Sequence, residues 1–388
     1  MDHRRQPSDR QNILVAFPSL VVRLHTLSLE QFRNYPSLTL DLSSSDRHLF
    51  IGSNGSGKTN ILEAISVLSL TKSALGIDEE HLMQWGSAHY RVKGLSRTDT
   101  GEDVMLETVS QLQPRKQKAC FVNDVRVQAS AVIGRLPIVL FLPQDLQLFS
   151  GPPAERRRFV DQLLSQVSSE YFQALSDYLK FVKQRNALLK SIAQGASVPA
   201  DLDTWDEQLA ERGSIVTLAR LELMETFSLA LVDELRTLGE HWTDVKIVYE
   251  RSSDSHTRAD IAADIRSALR STRDRDILLQ STSVGPHRDD WYITAEGHPL
   301  ATFASRGQQR VSVLALLFLQ ASFVELRRGE RPLILLDDVF SELDDSHQEG
   351  VLNAFVDHQV FITGTHLPKN MEKAQVWNVT EGEVFLAQ

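Results

Sequence analysis

The sequence is poor in cysteine, glycine, proline and net positive charge. One cysteine, Cys120, in 388 residues excludes an internal disulfide bond and a cysteine-based zinc cluster, and it fits a reducing cytosol. The 19 glycines and 13 prolines indicate neither a collagen-like repeat nor extended disorder. The 51 acidic residues outnumber the 41 basic ones, which excludes a uniformly basic nucleic-acid binder but permits a local basic surface.

Long hydrophobic runs are also missing. The most apolar stretch, residues 311–324, is interrupted by Ser312, Gln320 and Ser322 and is shorter than the roughly 20 residues that a bilayer requires. It is therefore predicted to be a buried helix, and no transmembrane helix is expected. Residues 1–20 carry arginines before a short apolar run, and we predict a flexible extension there, with a signal peptide as the alternative.

The hydrophobic pattern divides the rest of the chain into three parts. Residues 21–150 contain short strands around one amphipathic helix, residues 151–280 have helical spacing, and residues 281–388 return to strands and helices. The prediction is an α/β fold whose two sequence halves, 21–150 and 281–388, are separated by a helical insertion.

Residues 52–59 have the pattern of a phosphate-binding loop. Their sequence fits G-x-x-x-x-G-K-[ST] at each fixed position, between a buried strand and an amphipathic helix. Backbone N–H groups of such a loop converge on nucleotide phosphates at the positive end of the helix dipole. Lys58 is expected to reach the β- and γ-phosphates, and the Thr59 hydroxyl is expected to bind Mg²⁺. The predicted nucleotide-binding set is Gly52, Ser53, Asn54, Gly55, Ser56, Gly57, Lys58, Thr59 and the following Asn60.

Two carboxylates, Asp337 and Asp338, follow the apolar strand Leu333–Leu336. Asp337 is expected to hold Mg²⁺ directly or through water, and Asp338 is expected to orient or deprotonate the attacking water. A solvated acidic turn is the alternative for this string on its own. Lys58 and Asp337 are 279 positions apart, a separation that fits a nucleotide-binding core once the helical insertion is removed.

Further strings follow the motif order of ABC-type ATPases. Ser305, Arg306, Gly307 and Gln308 open the apolar helix and resemble the S-G-G-Q signature, which in that class contacts the γ-phosphate held by the other subunit. Residues 341–344, which end in Asp344, look like the D-loop. His366 lies where the switch histidine is expected, and Gln144 is the candidate Q-loop glutamine. Ordinary loop residues are the alternative for His366 and Gln144.

Taken together, these strings resemble the RecF family of bacterial recombination-repair ATPases, which are related to SMC proteins. Further matching strings are residues 32–35, 60–64, 141–146, 156–159 and 283–290, so the resemblance extends from about Val21 to the C-terminus. It implies an α/β ABC-type ATPase head with an inserted helical arm. It also implies that Arg33 and Asn34 lie close to the nucleotide, and that Asp338, Lys58, Gln144 and His366 serve catalysis.

The resemblance further implies a function in DNA repair and replication in the cytoplasm. The expected cofactors are ATP and Mg²⁺, and ATP is expected to drive dimerisation on double-stranded DNA near single-strand gaps. Slow hydrolysis would release the dimer. RecR is the expected protein partner, acting with RecO to load RecA.

Local positive charge in the insertion indicates where DNA is expected to bind. Residues 151–190 carry seven basic residues against four acidic ones. The predicted contacts are Arg156, Arg157, Arg158, Lys183 and Arg185. We expect contact with the phosphate backbone rather than base readout, because the region has no aromatic interleaving and no helix-turn-helix pattern. Solvated helix faces are the alternative.

Two other functions fit parts of the pattern. An ABC transporter subunit is disfavoured by the long helical insertion and by Arg306 in place of a glycine. A nucleotide-regulated structural protein would leave Asp338 without a catalytic role. Residues 287–290 offer metal-ligand types, but a turn held by salt bridges is the favoured interpretation.

Overall fold

The structure is a computed structural model that describes residues 20–341, 343, 345–367 and 374–387. Contacts divide the chain into two compact units, Met1–Pro143 with Gln320–Gln388, and Gln144–Leu319. The predicted insertion, residues 151–280, therefore differs from the second unit at both ends, and most at its C-terminal end. Residues 1–19 of the predicted extension lie outside the described residues.

The strands and helices follow the chain in a defined order. The strands are β1 (Leu20–Phe32), β2 (Tyr35–Asp41), β3 (Arg47–Ile51), β4 (His89–Thr98), β5 (Asp103–Gln111), β6 (Gln117–Val122), β7 (Val125–Val127), β8 (Ile138–Phe141), β9 (Val245–Glu250), β10 (Asp290–Ala295), β11 (His298–Pro299), β12 (Glu330–Arg331), β13 (Leu333–Leu336), β14 (Val360–Gly364), β15 (Gln375–Thr380) and β16 (Glu383–Leu386). The helices are α1 (Lys58–Leu70), α2 (Pro153–Val167), α3 (Ser169–Ala193), α4 (Asp203–Thr237), α5 (Arg258–Ser271), α6 (Arg273–Leu279), α7 (Leu300–Phe303), α8 (Arg306–Arg328) and α9 (Asp345–Ala354).

A mostly parallel sheet in the first unit determines where the nucleotide motifs meet. Its order is β16-β15-β3-β14-β13-β8, and β3, β14, β13 and β8 are parallel. Leu336 pairs with both Phe141 and Ile362, and Ile362 pairs with Leu49. Because parallel strands end at the same edge, the segments after β3, β13 and β14 begin at that edge.

A second, mainly antiparallel sheet packs with α1 in the core of the same unit. Its strand order is β12-β1-β4-β5-β6-β7, and β2 pairs antiparallel with β1 outside this order. The short strands of residues 90–142 favour an antiparallel segment. This is confirmed for β4 to β7, which pair antiparallel, and is wrong for β8, which pairs parallel with β13 in the other sheet. A Cβ on Gly94 of β4 would lie 2.6 Å from the Leu68 side chain of α1, so glycine allows the helix and strand to pack closely. This contact holds the last turn of α1, which contains Leu68, against the sheet.

The second unit combines long helices with a small sheet of order β11-β10-β9. The helical spacing from residue 154 to about 191 belongs to two helices, α2 and α3, because Ser168 caps α3 by accepting a hydrogen bond from Tyr171 N at 3.1 Å. Strand β9 was not predicted, and its pairing with β10 in the register Tyr249–Trp291 keeps residues beyond 280 in this unit.

Helix α8 is the buried apolar helix that the sequence predicts. By length and composition it is the one helix among the described residues that meets the criteria for a membrane span. However, 72% of its apolar window is buried inside the structure, as is usual for a core helix of a folded domain.

Candidate nucleotide site

The phosphate-binding loop connects β3 to α1 and holds the Lys58 side chain inside the loop. Its ammonium donates to the carbonyl oxygens of Gly52 and Ser53, each at 2.8 Å. Burial lowers the pKa of Lys58, and the nearby carboxylates of Asp338 and Asp337 act in the opposite direction. The structure therefore places a cation of the first helical turn beside both predicted carboxylates.

Two side chains at the turn between β1 and β2 hold the loop: Asn34 in the turn and Tyr35 at the start of β2. The Asn34 amide donates to Ser56 O at 3.0 Å and accepts from the Asn60 amide at 2.7 Å. The buried Tyr35 hydroxyl donates to Gly57 O at 3.0 Å. Gly57 has a φ of +114°, and a Cβ there would lie 2.4 Å from the Asn34 amide nitrogen. Glycine is therefore required at this position both by its backbone conformation and by the space available.

The predicted magnesium-binding pair is brought together at the shared edge of the sheet. Thr59 Oγ1 donates to the Asp337 carboxylate, with distances of 2.9 and 3.0 Å to its two oxygens. Thr363, at the end of β14, donates to the same carboxylate at 2.6 Å and accepts from the backbone N–H of Asp338 at 2.9 Å. Sequence reasoning missed Thr363, although its position at the end of the adjacent parallel strand could have identified it.

The donor set fits Mg²⁺ held partly by a nucleotide. Among the described residues, no group of three or more His, Cys, Asp or Glu side chains could hold a metal ion on its own. Mg²⁺ in nucleotide sites is commonly bound through one or two carboxylates together with substrate phosphates and water. Burial raises the pKa of Asp337, whereas the hydrogen bonds from Thr363 and Thr59 lower it. Thr59 and Asp337 thus supply the hydroxyl and carboxylate that such an ion needs.

Arg33 is held by an acidic side chain of α1. Its guanidinium makes a two-pronged ion pair with Glu63 at 2.7 and 3.0 Å and also donates to His81 O at 2.8 Å. Glu63 is 2% exposed and was not identified from the sequence. The pair fixes the position of the turn that carries Asn34; a direct contact of Arg33 with the nucleotide stays a prediction.

The other predicted catalytic residues are placed differently. Asp338, with a φ of +47°, directly follows Asp337 and is partly exposed. His366 is exposed two residues beyond β14, at the same edge of the sheet. Gln144 lies at the start of the second unit, in the single turn Pro143–Gln147. Asp344 lies outside the described residues, and the roles of the other three stay predictions.

The signature residues form the start of α8 in the second unit. Ser305 Oγ accepts from Gln308 N at 3.3 Å, and the Gln308 side chain accepts from Ser305 N at 3.0 Å. This reciprocal pair is a capping box. Ser305, Arg306 and Gly307 are exposed, so the capped end of a 23-residue helix faces solvent. The motif therefore provides a helix N-terminus suited to an anion, beyond its role in starting the helix.

The sequence and the fold match known proteins over nearly the whole chain. Residues 23–383 match the family described as RecF/RecN/SMC N terminal domain. The DNA replication and repair protein RecF of Heliobacterium modesticaldum is 33% identical over 373 residues, which cover 94% of this chain and 99% of that relative. The chain belongs to the RecF family. This confirms the family that the motifs indicated.

Solved structures support the same assignment. The recombination mediator protein RecF-ATPrS in the RecFOR pathway is 28% identical with a TM-score of 0.88, over 96% of this chain and 100% of that one. An Smc head domain from Pyrococcus furiosus is 14% identical with a TM-score of 0.52, over 95% of this chain and 96% of that one, and shows a common fold. The predicted α/β ABC-type ATPase fold is thus confirmed for this RecF-family chain.

Two of the five predicted DNA contacts are structural arginines. Arg185 is 0% exposed and Arg156 is 8% exposed, so neither guanidinium faces solvent. Arg156 makes a two-pronged ion pair with Asp290, with both distances 2.7 Å. The prediction is therefore wrong for Arg185 and Arg156, because a positive count along the sequence does not distinguish a helix's buried face from its exposed face.

The other three predicted contacts differ in exposure. Arg157 is half-buried and donates to Asp289 O at 3.0 Å, and Arg158 is half-buried with a partner of its own. Lys183 is exposed. Lys183 is therefore the predicted residue best placed to meet a phosphate.

Residues 287–290 form the salt-bridged turn that the sequence favoured over a metal site. His287 Nδ1 accepts from the Tyr178 hydroxyl at 2.7 Å, and its Nε2 lies 3.1 Å from Thr282 O. Burial lowers the pKa of His287 to about 4, so the neutral ring with Nε2–H fits both contacts. Asp290 is paired with Arg156. Both ring nitrogens of His287 are thus used in protein contacts, which leaves neither for a metal.

Proposed function

We propose that the chain is a RecF-type ATPase that binds ATP with Mg²⁺ and uses the nucleotide to dimerise on DNA during recombinational repair and replication. The observation that carries the proposal is the meeting of Lys58, Thr59 and Asp337 at one edge of the parallel sheet. Lys58 and the loop amides would bind the phosphates, and Thr59 with Asp337 would hold Mg²⁺. When bound, Mg²⁺ would neutralise charge on the phosphates during hydrolysis.

Asp338 is proposed as the carboxylate that orients or deprotonates the attacking water. It lies one residue beyond the proposed magnesium ligand, and its backbone N–H is fixed by Thr363. His366 and Gln144 are proposed to assist at the γ-phosphate, as the family resemblance implies. We propose slow hydrolysis, stimulated by DNA, as the step that releases the dimer.

The dimer itself is proposed to depend on the exposed start of α8. Ser305, Arg306, Gly307 and Gln308 would contact the γ-phosphate bound to a second copy of the chain, together with Asp344. The capping box supports this role because it holds the first-turn N–H groups of α8 in one geometry and leaves the helix end exposed. An exposed helix N-terminus favours a negatively charged ligand.

Ser305→Asp should block ATP-driven dimerisation without unfolding the helix. Aspartate is as good an N-cap as serine, so the start of α8 is preserved, but its charge would repel the γ-phosphate. With Mg-ATP, light scattering should give twice 43.7 kDa for the wild-type chain and 43.7 kDa for Ser305→Asp.

A matched control is Ser168→Asp at another helix start. Ser168 caps α3 by accepting from Tyr171 N at 3.1 Å, so the same charge is added at a similar position. Ser168→Asp should still dimerise with Mg-ATP and not with Mg-ADP. A wild-type chain that stays monomeric with ATP, with and without gapped duplex DNA, would contradict the proposed dimer.

DNA is proposed to contact a lysine stripe on α3, made of Lys180, Lys183 and Lys190. The three residues are exposed, and their spacings of three and seven positions place them on one face of the helix. Lys183 belongs to the set predicted from the sequence, and the other two extend its face. A row of lysines suits phosphate contact without base readout.

Replacing the lysine stripe by glutamine should weaken duplex binding and flatten its salt dependence. Each lost phosphate contact lowers the slope of log K against log salt by about 0.9, so the triple variant should lose about 2.7. The measurement is fluorescence anisotropy of a gapped duplex with Mg-ATP at several salt concentrations. Lys246→Gln, on β9 and paired with Asp244 at 2.8 Å, should leave the slope unchanged. An unchanged slope in the triple variant would place DNA elsewhere.

The proposed setting is the cytoplasm, in association with the nucleoid. The solved relative at 28% identity is a recombination mediator of the RecFOR pathway, which supports RecR and RecO as protein partners and RecA as the protein loaded. Gapped and double-stranded DNA are the proposed nucleic-acid ligands.

A further inference from the structure

Three leucines of the second unit are exposed to solvent close to the lysine stripe of α3. Leu278 is 81% exposed and Leu279 is 55% exposed, and they are the last two residues of α6. Leu179 is exposed one turn before Lys183, on the same face of α3. Single exposed leucines need no explanation, but a group of them beside a charged stripe indicates an interaction surface.

Buried hydrogen bonds hold the end of α6 and the residues after it against α3. The Arg185 guanidinium donates to the Asp276 carboxylate at 2.7 Å and to Thr282 Oγ1 at 3.1 Å. The side-chain oxygen of Asn186 accepts from Thr282 N at 2.8 Å and from Thr282 Oγ1 at 2.7 Å. Residues 276–282, which include the leucine pair, are therefore fixed to α3 at both ends.

The attachment point lies on the lysine-bearing face of α3. Asn186 follows Lys183 by three positions and precedes Lys190 by four, so the three residues share one side of the helix. The leucine pair is thus held beside the lysine stripe in one position, which lowers the entropy lost when it binds a partner. The exposed Arg275 and Asp274 of α6 offset each other, so the positive charge of this surface comes from α3.

A surface that combines lysines with leucines fits a partner that is anionic and also presents an apolar face. Duplex DNA carries phosphates along its sides, and a gap exposes the flat face of the base pair at its edge. Continuous duplex offers no such face, because each base pair is stacked on the next. Leucine is one of the side chains that proteins place against base steps. Charge complementarity with the lysine stripe therefore favours DNA at the edge of a gap as the occupant.

We propose that Leu278 and Leu279 cap the exposed base pair at the edge of a gap while the lysine stripe holds the adjoining phosphates. The proposal rests on the DNA function proposed for the lysine stripe. The lysines supply affinity for any duplex, and the leucine pair supplies the preference for a gap. Leu179 extends the apolar contact along α3.

The test compares two DNA substrates by fluorescence anisotropy with Mg-ATP. One is a duplex closed at both ends by hairpin loops, which exposes no terminal base pair, and the other is the same duplex with an internal gap. The wild-type chain should bind the gapped substrate about tenfold more tightly, as expected from partial burial of two leucine side chains. The double variant Leu278→Ser/Leu279→Ser should lose this preference and bind the closed duplex as the wild type does.

Leu229→Ser is the matched control. Leu229 is also 81% exposed, but it lies on α4 about 35 Å along the helix from Asp206, which is bonded to Arg185. Its replacement should leave the preference for the gapped substrate unchanged. Because all three leucines are exposed, the variants should keep the circular dichroism spectrum of the wild type.

The contrary outcomes separate this proposal from the one on which it rests. If the glutamine variant of the lysine stripe binds both substrates as the wild type does, the DNA function of the stripe fails, and the leucine proposal fails with it. If that variant binds both more weakly but the leucine variant keeps the preference for the gap, only the leucine proposal is overturned, and a protein partner becomes the occupant to test. A wild-type chain without preference for the gap, or equal weakening of both substrates by the leucine variant, would also overturn it.

Discussion

Lys58→Met should strongly weaken nucleotide binding and thereby prevent ATP-driven dimerisation. The substitution keeps the length of the side chain but removes the cation that the loop holds beside Asp337 and Asp338. Loss of a charge-assisted contact to the phosphates should weaken Mg-ATP binding by at least about 30-fold, equivalent to about 2 kcal/mol. Calorimetry gives the affinity, and light scattering with Mg-ATP should give the 43.7 kDa monomer.

Asp338→Asn is the matched control for this prediction. It changes the neighbouring predicted catalytic group but leaves Lys58, Thr59 and Asp337 in place, so it should bind ATP and dimerise while hydrolysis falls by about 100-fold or more. A Lys58→Met chain that still dimerises with ATP would show that the loop does not drive association. Hydrolysis that survives Asp338→Asn would instead indicate a nucleotide-regulated protein with another catalytic group or none at this position.

The arrangement of the candidate nucleotide site was largely predictable because its parts lie in short sequence motifs with defined chemistry. The loop at 52–59 and the carboxylates after β13 are separated by 279 positions between Lys58 and Asp337, yet the parallel registers of β3, β14 and β13 bring them to one edge. Thr363 and Glu63 were missed for a different reason. Both act by holding another side chain. Glu63 is a single carboxylate in an apolar helix and has no distinctive spacing, whereas Thr363 is marked only by its position at the end of the strand next to β13.

The boundary of the second unit was less predictable because it depends on tertiary pairing. Residues 281–319 have the same alternation of strand and helix as the first unit. Tertiary contacts place them in the second unit, such as the pairing of β9 with β10 and the ion pair of Arg156 with Asp290. Strand β9 itself is half-exposed, so its hydrophobic pattern is weak. The predicted DNA contacts were partly wrong for a related reason. The number of basic residues along α3 does not show that the Arg185 side chain is buried and the Lys183 side chain is exposed.

Arg185→Met should cost about 3–5 kcal/mol of unfolding free energy. The Arg185 guanidinium is fully buried and donates to Asp206 at 2.8 Å and to Asp276 at 2.7 Å, and both carboxylates are themselves buried. The long apolar side chain of methionine occupies much of the space but leaves these two charges without their common partner. Breaking a buried pair by removing one side is costly because the remaining charges stay desolvated. Urea unfolding followed by circular dichroism measures the change.

The neighbouring Lys183 gives this prediction its control and connects it to DNA binding. Lys183→Met is on the same helix but exposed, so its unfolding free energy should stay within about 0.5 kcal/mol of the wild type. Combining Arg185→Met with Asp276→Asn should cost less than the sum of the single changes, since the second substitution removes one unpaired charge. If instead Arg185→Met is as stable as the wild type and binds duplex DNA more weakly, the side chain would have to reach solvent. The two basic residues are two positions apart on one helix, so the direction each side chain points separates a role in folding from a role in DNA binding.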